Sequence, residues 1–432
     1  MIESSSRARS IRVGAKTAGT VEVPPSKSHT NRALNLALLV DGDVRISRPL
    51  DSEDTRAMLR ALGQLGVDVS EANGSLTLSR QSLPEGAAID CRASGTMLRF
   101  LIASLTTVAG TWTLDGTERL RNRPLAPLLE ALRSLGGEIE CPGTEGFAPV
   151  RIRGGSLRGG RASLDAGDSS QFLSALLMAA VGARKRVEIE VSGLVSAPYV
   201  EMTIQAMADV GLKVKQEGNR FWVAPQQVSG ARIAIEGDYS SACYFGAAAA
   251  LTRGSITLTG LRSDSVQGDA RFFSVLEAMG AASQWGDGVL QVRGPERLEA
   301  VQEDFSDIPD QVPTLAALAP FAAGTTRVVG VGHLRLKESD RLEVVARELG
   351  RAGVAPIEES ADALAIPGLW SVGEPPRSAV TIDPTDDHRI AMSLAVFGLV
   401  RPGLSIAHPE VVSKSYPDFW RDFAAVCEPG GR

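Results

Sequence analysis

Runs of small apolar residues recur at nearly constant intervals along this chain of 432 residues. Each run follows a short polar or charged cluster, as in KSHTNRALNLALL, SSQFLSALLMAA and DHRIAMSLAVFGL. The clusters begin at Lys27, Ser94, Ser169, Ser240, Asp310 and Asp387, at intervals of 67, 75, 71, 70 and 77 residues. The runs are too continuously apolar for surface helices, so they predict buried helices, and the clusters stand where N-caps belong. Spacing this regular predicts a repeated structural unit.

A second pattern runs in step with the first. It is a helical stretch that ends at a glycine and continues into a strand-like segment, as in ALGQLGVDV and ALRSLGGEI. The glycines are Gly66, Gly136, Gly211, Gly280 and Gly353. Glycine often terminates a helix, and alternating segments such as SITLTGL predict short strands. The chain is therefore expected to be an α/β protein of six mixed units, the last one shortened or divergent, arranged as two lobes of three.

The charge pattern indicates a small anionic ligand. The net charge is −6, and the sequence shows no basic face of the kind that nucleic-acid binding requires. Many basic residues nevertheless lie beside helix starts or turns, namely Lys27, Arg32, Arg99, Arg123, Lys337, Arg341, Arg389 and Lys414. Helix N-termini and cations together bind phosphates and carboxylates. We therefore expect a site for a small polyanion.

Several other classes of protein lack support in the sequence. There is no GxxxxGK[ST] or GxGxxG nucleotide motif, no metal-ligand spacing among four scattered histidines, and no CxxC pair. No apolar run approaches the roughly 20 residues of a membrane span, and the N-terminal segment has no apolar secretion signal. The four cysteines are expected to be buried or incidental thiols in a reducing cytoplasm.

The clusters at the first and third apolar helices allow two interpretations. Lys27 and Arg32, with the hydroxyl of Ser28 between them, form either a solvated basic cap or an anion site. Two cations that lead into an apolar helix are costly without a compensating anion, which favours the second interpretation. Residues 169–171, Ser-Ser-Gln, either cap the third helix or hold a phosphate or hydroxyl group.

The later charged clusters are ambiguous in the same way. In HLRLKESDRLEVVARELG, residues Lys337, Glu338 and Arg341 taken alone would be the exposed, salt-bridged face of a surface helix. Asp310 is either a helix cap or a carboxylate that takes a proton from a hydroxyl. Arg389 enters an apolar helix, which again favours an anionic partner.

Together these strings resemble the enolpyruvyl transferases, and among them most closely the EPSP synthase family. The similarity runs from PPSKSHTNRAL through SGTMLRF, NRPLAPLLEAL, SSQFLSALLMAA, GDYSSACYF, DIPDQVPTLAALA, LRLKESDRL and DDHRIAM to VVSKSYPDFW. The resemblance implies two lobes, each of three βαβαββ units, with buried helix N-termini facing an interlobe cleft. It implies a first lobe at 24–236 and a second at 1–23 and 237–432, because the chain crosses twice.

The same resemblance implies an activity. The expected reaction is that of a 3-phosphoshikimate 1-carboxyvinyltransferase, in which the enolpyruvyl group of phosphoenolpyruvate moves to the 5-hydroxyl of shikimate 3-phosphate and phosphate leaves. It proceeds by addition and elimination in the shikimate pathway of aromatic amino acid biosynthesis. The resemblance implies no metal and no organic cofactor, and a cytoplasmic monomer without nucleic-acid or membrane partners.

Site residues follow from the resemblance, position by position. The shikimate 3-phosphate site would comprise Lys27, Ser28, Arg32, Ser169, Ser170, Gln171, Ser196, Asp310, His333 and Lys337. The phosphoenolpyruvate site would comprise Lys27, Gly95, Arg123, Gln171, Arg341, Arg389 and Lys414. Asp310 would accept the proton of the attacking hydroxyl. Glu338, with Lys27, would move a proton to and from the enol methylene.

Departures from the family pattern cluster around Gly95, at Arg92, Ala93, Leu98 and Phe100. His333 stands where the family often has an asparagine that contacts the sugar-like ring. A rival within the fold, the UDP-N-acetylglucosamine enolpyruvyl transferase, would be expected to show Lys-Asn at the first helix and a reactive loop cysteine, whereas this chain has Lys-Ser and no such cysteine motif. A non-catalytic anion-binding protein would be expected to lose Asp310 and Glu338, and both are present.

Overall fold

The chain divides into two units at residues 24–25 and 236–237. The computed structural model describes residues 8–81, 84–371 and 373–428. One unit, Pro25–Glu236, is continuous in sequence, and the other combines Met1–Pro24 with Gly237–Arg432. We call them the continuous unit and the split unit. Pro24 belongs to the split unit rather than to the first lobe, where the sequence boundary put it, and its carbonyl accepts a hydrogen bond from the Asp238 amide at 2.8 Å.

Helices and strands alternate through both units. The helices are α1 (Lys27–Leu39), α2 (Glu53–Gln64), α3 (Gly95–Leu105), α4 (Glu118–Arg121), α5 (Ala126–Ser134), α6 (Gln171–Ala180), α7 (Pro198–Asp209), α8 (Tyr239–Thr252), α9 (Arg271–Ala278), α10 (Val312–Leu318), α11 (Arg341–Arg351), α12 (His388–Gly398) and α13 (Phe419–Cys427). The strands are β1 (Arg9–Ser10), β2 (Ala18–Glu22), β3 (Asp41–Ser47), β4 (Val67–Ala72), β5 (Ser75–Arg80), β6 (Gly86–Asp90), β7 (Thr111–Asp115), β8 (Glu138–Glu140), β9 (Val150–Arg153), β10 (Gly160–Asp165), β11 (Val187–Ser192), β12 (Lys215–Glu217), β13 (Arg220–Val223), β14 (Ser229–Ala234), β15 (Ser255–Thr259), β16 (Ala282–Gly286), β17 (Val289–Arg293), β18 (Leu298–Glu299), β19 (Gln302–Asp304), β20 (Ala322–Ala323), β21 (Thr325–Val329), β22 (Glu358–Glu359), β23 (Ala363–Pro367), β24 (Val380–Ile382) and β25 (Leu404–Ile406).

One pairing pattern recurs in the sheets: a parallel pair of strands, extended by two antiparallel strands. In spatial order these sheets are β14-β3-β5-β4, β6-β7-β9-β8 and β10-β11-β13-β12 in the continuous unit, and β2-β15-β17-β16 and β19-β21-β23-β22 in the split unit. The sheet β24-β25-β1 keeps the parallel pair and one antiparallel strand. Parallel neighbours need a crossover, which a buried helix supplies, as α3 does between β6 and β7.

Buried helices form the centre of each unit. In the continuous unit α1, α3 and α6 pack against one another, and in the split unit α8, α10 and α12 do the same. Every residue of α8 and α12 is buried, and each unit has its own apolar core. The prediction that the apolar runs are buried helices is confirmed. A helix that is apolar all round needs neighbours on every side, and here its sister helices and the sheets provide them.

The predicted caps are confirmed at two helices. The Ser94 side chain accepts a hydrogen bond from Met97 N at the start of α3, and the Asp387 carboxylate accepts one from Arg389 N at the start of α12. The first helix differs, because Ser26, rather than the Lys27–Ser28 pair, supplies the cap.

The caps predicted at Ser240 and Asp310 are wrong. Asp238 caps α8, and Ser240 lies inside the helix, where its hydroxyl contacts Asp269. Asp310 lies in a 3-10 turn before α10, and its carboxylate binds arginine side chains instead of backbone amides. At α6, Ser170 occupies the cap position without a side-chain cap bond. At Ser240 and Asp310 the polar group has a tertiary partner that competes with the helix end.

The glycine stops are confirmed at all five positions. Gly66, Gly136, Gly211, Gly280 and Gly353 follow α2, α5, α7, α9 and α11, with φ of +78°, +92°, +86°, +101° and +103°. A side chain is strained at these left-handed φ values, so glycine lets each helix end and the chain turn into the next strand.

Candidate active site

Lys27 and its neighbours begin α1 in the continuous unit. The Lys27 ammonium lies 3.3 Å from Asp54 Oδ2, in the first turn of α2. His29 Nδ1 lies 3.4 Å from a Glu236 carboxylate oxygen. Both side chains are largely buried. From the sequence, an anionic ligand was expected to compensate the charge of Lys27, but in the structure Asp54 does so.

Arg32 is buried one turn further along α1. Its guanidinium donates to Thr203 Oγ1 at 2.8 Å, to the Tyr199 carbonyl at 2.7 Å and to the Ser28 carbonyl at 2.9 Å. Burial lowers the pKa of Arg32 to about 10. These neutral acceptors fix Arg32 between α1 and α7, and its role towards a substrate carboxylate stays a prediction.

The start of α6 is joined to α3 by Gln171. Its amide oxygen accepts a hydrogen bond from Arg99 Nη1 at 2.7 Å, and its amide nitrogen donates to Thr96 Oγ1 at 3.0 Å. The Gln171 backbone N–H donates to Ser169 Oγ at 3.3 Å. The side chains of Ser169 and Ser170 are buried beside this helix end. Thr96 was not among the predicted site residues, and its position inside the SGTMLRF string was the available signal.

Gly95 and Arg123 are in close contact. A Cβ atom on Gly95 would lie 2.6 Å from Arg123 Nη1, so a side chain at that position would require the guanidinium to move. The Arg123 guanidinium therefore covers the first residue of α3. Of the unusual neighbours, Leu98 and Phe100 are buried in the core, so they contribute to packing.

Ser196 is also buried in the continuous unit, just before α7. It adopts a left-handed backbone conformation with φ of +54°, which is uncommon for a residue with a side chain. Its carbonyl accepts a hydrogen bond from Tyr199 N at 3.1 Å. Strain of this kind is held by surrounding structure and often marks a functional position.

Arg341 is the centre of an ion network in the split unit. Its Nε lies 2.7 Å from Asp387, its Nη1 2.7 Å from Asp310, and its Nη2 2.8 Å from Glu338. The side chain is 2% exposed, so the interpretation of this stretch as a solvated helix face is wrong at Arg341. Burial opposes its charge, but the three carboxylates, Asp387 foremost, raise the pKa of Arg341 above its usual value.

Asp310 is bound by two arginines. Oδ1 pairs with Arg341, and Oδ2 lies 2.6 Å from Arg389 Nη2. Burial alone would raise the pKa of Asp310, but Arg389, Arg341 and then Lys337 hold it well below its usual range. The carboxylate is therefore ionised at neutral pH and able to accept a proton, although the two guanidinium groups make it a weak base.

Glu338 and Lys414 extend the same network. One Glu338 oxygen pairs with Arg341, and the other lies 3.5 Å from Lys414 Nζ. Five of the predicted residues of this unit, Asp310, Glu338, Arg341, Arg389 and Lys414, are thus connected by consecutive ion pairs. The cations that were expected to need a ligand are partly neutralised by the carboxylates that were assigned to proton transfer.

His333 is buried and neutral. Burial, and next the positive charge of Lys337, lower the pKa of His333 to about 4. A neutral imidazole has one donor and one acceptor nitrogen, as an amide has one donor and one acceptor group. His333 can therefore donate one hydrogen bond and accept one, as an asparagine side chain can.

Asp269, Ser240 and Gln311 were not among the predicted site residues. Gln311 Nε2 donates to Asp269 Oδ2 at 2.8 Å, and Ser240 Oγ donates to the same oxygen. Arg389 Nη2 lies 3.5 Å from Ser240 Oγ. Ser240 was recognised only as a helix opening, and no local pattern in the sequence connects Ser240 or Asp310 to Asp269.

The described residues show neither a metal-binding cluster nor a membrane-spanning helix. Within residues 8–81, 84–371 and 373–428, no three His, Cys, Asp or Glu side chains are grouped as a metal site requires. No helix in the same ranges is long and apolar enough to cross a membrane. Burial raises the pKa of the Cys91 thiol, with a further contribution from Asp90, so this cysteine is not a reactive thiolate.

The fold matches solved structures of EPSP synthase. Two structures of EPSP synthase from Acinetobacter baumannii superpose with a TM-score of 0.79, at 27% and 25% sequence identity, and each comparison covers 97% of this chain and 98% of the other. The mixed α/β fold implied by the resemblance is thereby confirmed.

Sequence comparison identifies the family of the chain. The family model for EPSP synthase (3-phosphoshikimate 1-carboxyvinyltransferase) matches residues 11–423. The 3-phosphoshikimate 1-carboxyvinyltransferase of Syntrophobacter fumaroxidans is 45% identical over 93% of this chain and 96% of its own length, and that of Methanoculleus marisnigri is 42% identical over 92% and 94%. The chain belongs to the EPSP synthase family.

Proposed function

We propose that this chain uses its buried ion network to move protons while it transfers the enolpyruvyl group of phosphoenolpyruvate to shikimate 3-phosphate. The transfer itself is the activity of the family to which the chain belongs. The observation that carries the proposal is the position of Asp310, a carboxylate bound between Arg341 and Arg389. An anionic substrate and an acid–base group would thus share the same two cations.

Asp310 is assigned the first proton transfer. In the free chain its pKa is held low by Arg389 and Arg341. When phosphoenolpyruvate binds these arginines, its negative charge offsets their positive charge, and Asp310 becomes a stronger base. It then accepts the proton of the 5-hydroxyl as the hydroxyl oxygen bonds to the central carbon of phosphoenolpyruvate. Binding and chemistry are coupled, because the base strengthens only with substrate present.

Glu338 and Lys27 are assigned the second proton. Addition places a proton on the methylene carbon, and elimination removes a proton from the resulting methyl as the carbon–oxygen bond to phosphate breaks. One oxygen of Glu338 pairs with Arg341 Nη2 at 2.8 Å, and the other lies 3.5 Å from Lys414 Nζ. The Lys27 ammonium lies 3.3 Å from Asp54 Oδ2 in a largely buried position.

The remaining residues are assigned to binding. We propose that phosphoenolpyruvate binds to the backbone N–H of Gly95, to Gln171 and to five cationic side chains, those of Lys27, Arg123, Arg341, Arg389 and Lys414. Shikimate 3-phosphate is assigned to Ser28, Arg32, Ser169, Ser170, Gln171, Ser196, Lys337 and the neutral ring of His333. Preorganised cations and helix N-termini offset the desolvation of two highly charged substrates. The chain is further proposed to act as a cytoplasmic monomer without a cofactor.

A two-substrate assay tests the proposal. The purified chain is incubated with phosphoenolpyruvate and shikimate 3-phosphate, and phosphate release is followed together with the appearance of the 5-enolpyruvyl ether by NMR. We expect release only when both substrates are present, and the same rate after treatment with a chelator. UDP-N-acetylglucosamine replaces shikimate 3-phosphate in the matched control, in which we expect no release. Turnover in that control and none with shikimate 3-phosphate would assign the chain to the rival transferase.

A further inference from the structure

Asp269 is a buried carboxylate of the split unit to which the proposed reaction assigns no role. It lies in a 3-10 turn, Gly268–Ala270, and is 3% exposed. Its Oδ2 accepts hydrogen bonds from Ser240 Oγ and from Gln311 Nε2. Its Oδ1 is buried and has no hydrogen-bond partner among the residues that the structure describes. Burying a carboxylate that is only half satisfied is costly, so its retention calls for a functional explanation.

The contacts of Asp269 lead to Arg389. A hydroxyl has one proton, and Ser240 directs it to Asp269 Oδ2, which leaves the lone pairs of Ser240 Oγ facing Arg389 Nη2 at 3.5 Å. The same Nη2 binds Asp310 Oδ2 at 2.6 Å. Gln311, the neighbour of Asp310 in the chain, is held by Asp269 as well. Asp269 is therefore connected to both members of the Arg389–Asp310 pair.

We propose that Asp269 is a positioning residue for phosphoenolpyruvate binding, because through Ser240 it fixes the orientation of the Arg389 guanidinium. The inference rests on the proposed assignment of Arg389 to phosphoenolpyruvate. An ionised Asp269 can only accept hydrogen bonds, so it sets the direction of the Ser240 hydroxyl. An amide in its place could donate to Ser240 and turn the hydroxyl proton towards Arg389, which has no acceptor.

The arrangement also predicts a dependence on pH. Burial, and next the charge of Asp310, raise the pKa of Asp269 to about 6, although Arg389 lowers it. The Cys243 thiol of α8 also faces this turn and donates to the Asp269 carbonyl at 3.5 Å. Below about pH 6 the carboxylate gains a proton, which can be donated to Ser240 and disturbs Arg389. The KM for phosphoenolpyruvate is therefore expected to rise on the acid side of this value.

The test compares Asp269→Asn, Ser240→Ala and the double variant in the full chain. Each single change is expected to raise the KM for phosphoenolpyruvate by about tenfold, the scale of one hydrogen bond to a charged group. The KM for shikimate 3-phosphate should change less than twofold. The double variant should be no worse than the more impaired single variant, because both residues act along one path. The acid-side rise in KM should disappear in Asp269→Asn.

Glu348→Gln is the matched control. Glu348 is a carboxylate of the same unit, 1% exposed, and it is bound by Arg347, Arg351 and the Asp383 amide. Its substitution should lower the melting temperature and leave the KM for phosphoenolpyruvate within twofold. An Asp269→Asn variant that behaves like this control, or that adds fully to Ser240→Ala, would overturn the inference. If Asp269→Asn does not fold, Ser240→Ala decides alone, and an unchanged KM refutes the path.

The proposed function and this inference fail differently. If Arg389→Lys leaves the KM for phosphoenolpyruvate unchanged, the assignment of Arg389 is wrong, and the inference fails with it. If Arg389→Lys raises that KM while Asp269→Asn and Ser240→Ala do not, only the inference fails.

Discussion

The carboxylate of Asp310 binds the guanidinium of Arg341 at 2.7 Å, and Arg341 is almost fully buried. The pair joins a candidate base to a candidate substrate-binding cation. Removing either partner would take away one of the charges that compensate the other, and breaking a buried ion pair can cost up to about 3 to 5 kcal/mol. Variants of this network therefore need a stability measurement beside each kinetic one.

Asp310→Asn should separate binding from chemistry. The amide keeps the size of the side chain and part of its hydrogen bonding but cannot serve as the base, so kcat should fall by about a hundredfold or more. Calorimetry should find shikimate 3-phosphate bound with similar affinity. Glu348→Gln, which also removes a paired buried carboxylate, should keep its kcat. Equal losses of affinity and turnover in Asp310→Asn would instead assign Asp310 a structural role.

Arg389→Lys should weaken phosphoenolpyruvate selectively. A lysine keeps the charge but lacks the planar fork that binds Asp310 and an anion together. Charge-assisted hydrogen bonds contribute roughly 1.5 to 3 kcal/mol, which corresponds to an increase in the KM for phosphoenolpyruvate on the order of ten- to a hundredfold. The affinity for shikimate 3-phosphate, measured without phosphoenolpyruvate, should change little. A collapse of that affinity with an unaltered phosphoenolpyruvate KM would contradict the assignment.

Gly95→Ala should displace the Arg123 guanidinium. The added Cβ would lie 2.6 Å from Nη1, and the end of a flexible side chain moves more easily than backbone. We expect a near-normal melting temperature with a KM for phosphoenolpyruvate raised by roughly tenfold, because one cation is misplaced. Gly63→Ala is the control, since a Cβ there meets no atom within 4 Å. If both variants had the same kinetics, the contact between Gly95 and Arg123 would not matter for binding.

His333 should make the stability of the chain depend on pH. Its pKa is about 4 in the folded state, against roughly 6.5 in the unfolded chain. Between these values the unfolded state binds more protons, so stability is complete above about pH 6.5 and falls as the pH drops towards 4. His333→Asn should remove on the order of 1 to 3 kcal/mol of this loss. Urea unfolding of both proteins at pH 7.5 and pH 5 measures the difference, and identical pH slopes would exclude a buried neutral His333.

The local elements were predictable because their signals lie within a few residues. Continuous apolar character predicted the buried helices. Glycines predicted where the other helices end, for example Gly66 after α2 and Gly353 after α11, with φ of +78° and +103°. The caps were less predictable. Ser94 and Asp387 cap their helices, whereas Ser240 and Asp310 are bound by tertiary partners that local sequence does not contain.

The sequence by itself determined the family, the alternation of helices and strands, and the presence of cations at helix starts, since each depends on residue order alone. Only the tertiary structure decided which charges meet. Folding brings Asp310, Arg341 and Asp387 together from three separate elements. It also connects Asp269 to Arg389 through the hydroxyl of Ser240. The sequence suggested that a ligand compensates the charges of Arg341 and Arg389, whereas in the folded chain both pair with carboxylates of the protein itself. Pairing of buried charges depends on distance and desolvation, and neither quantity is set by position along the chain.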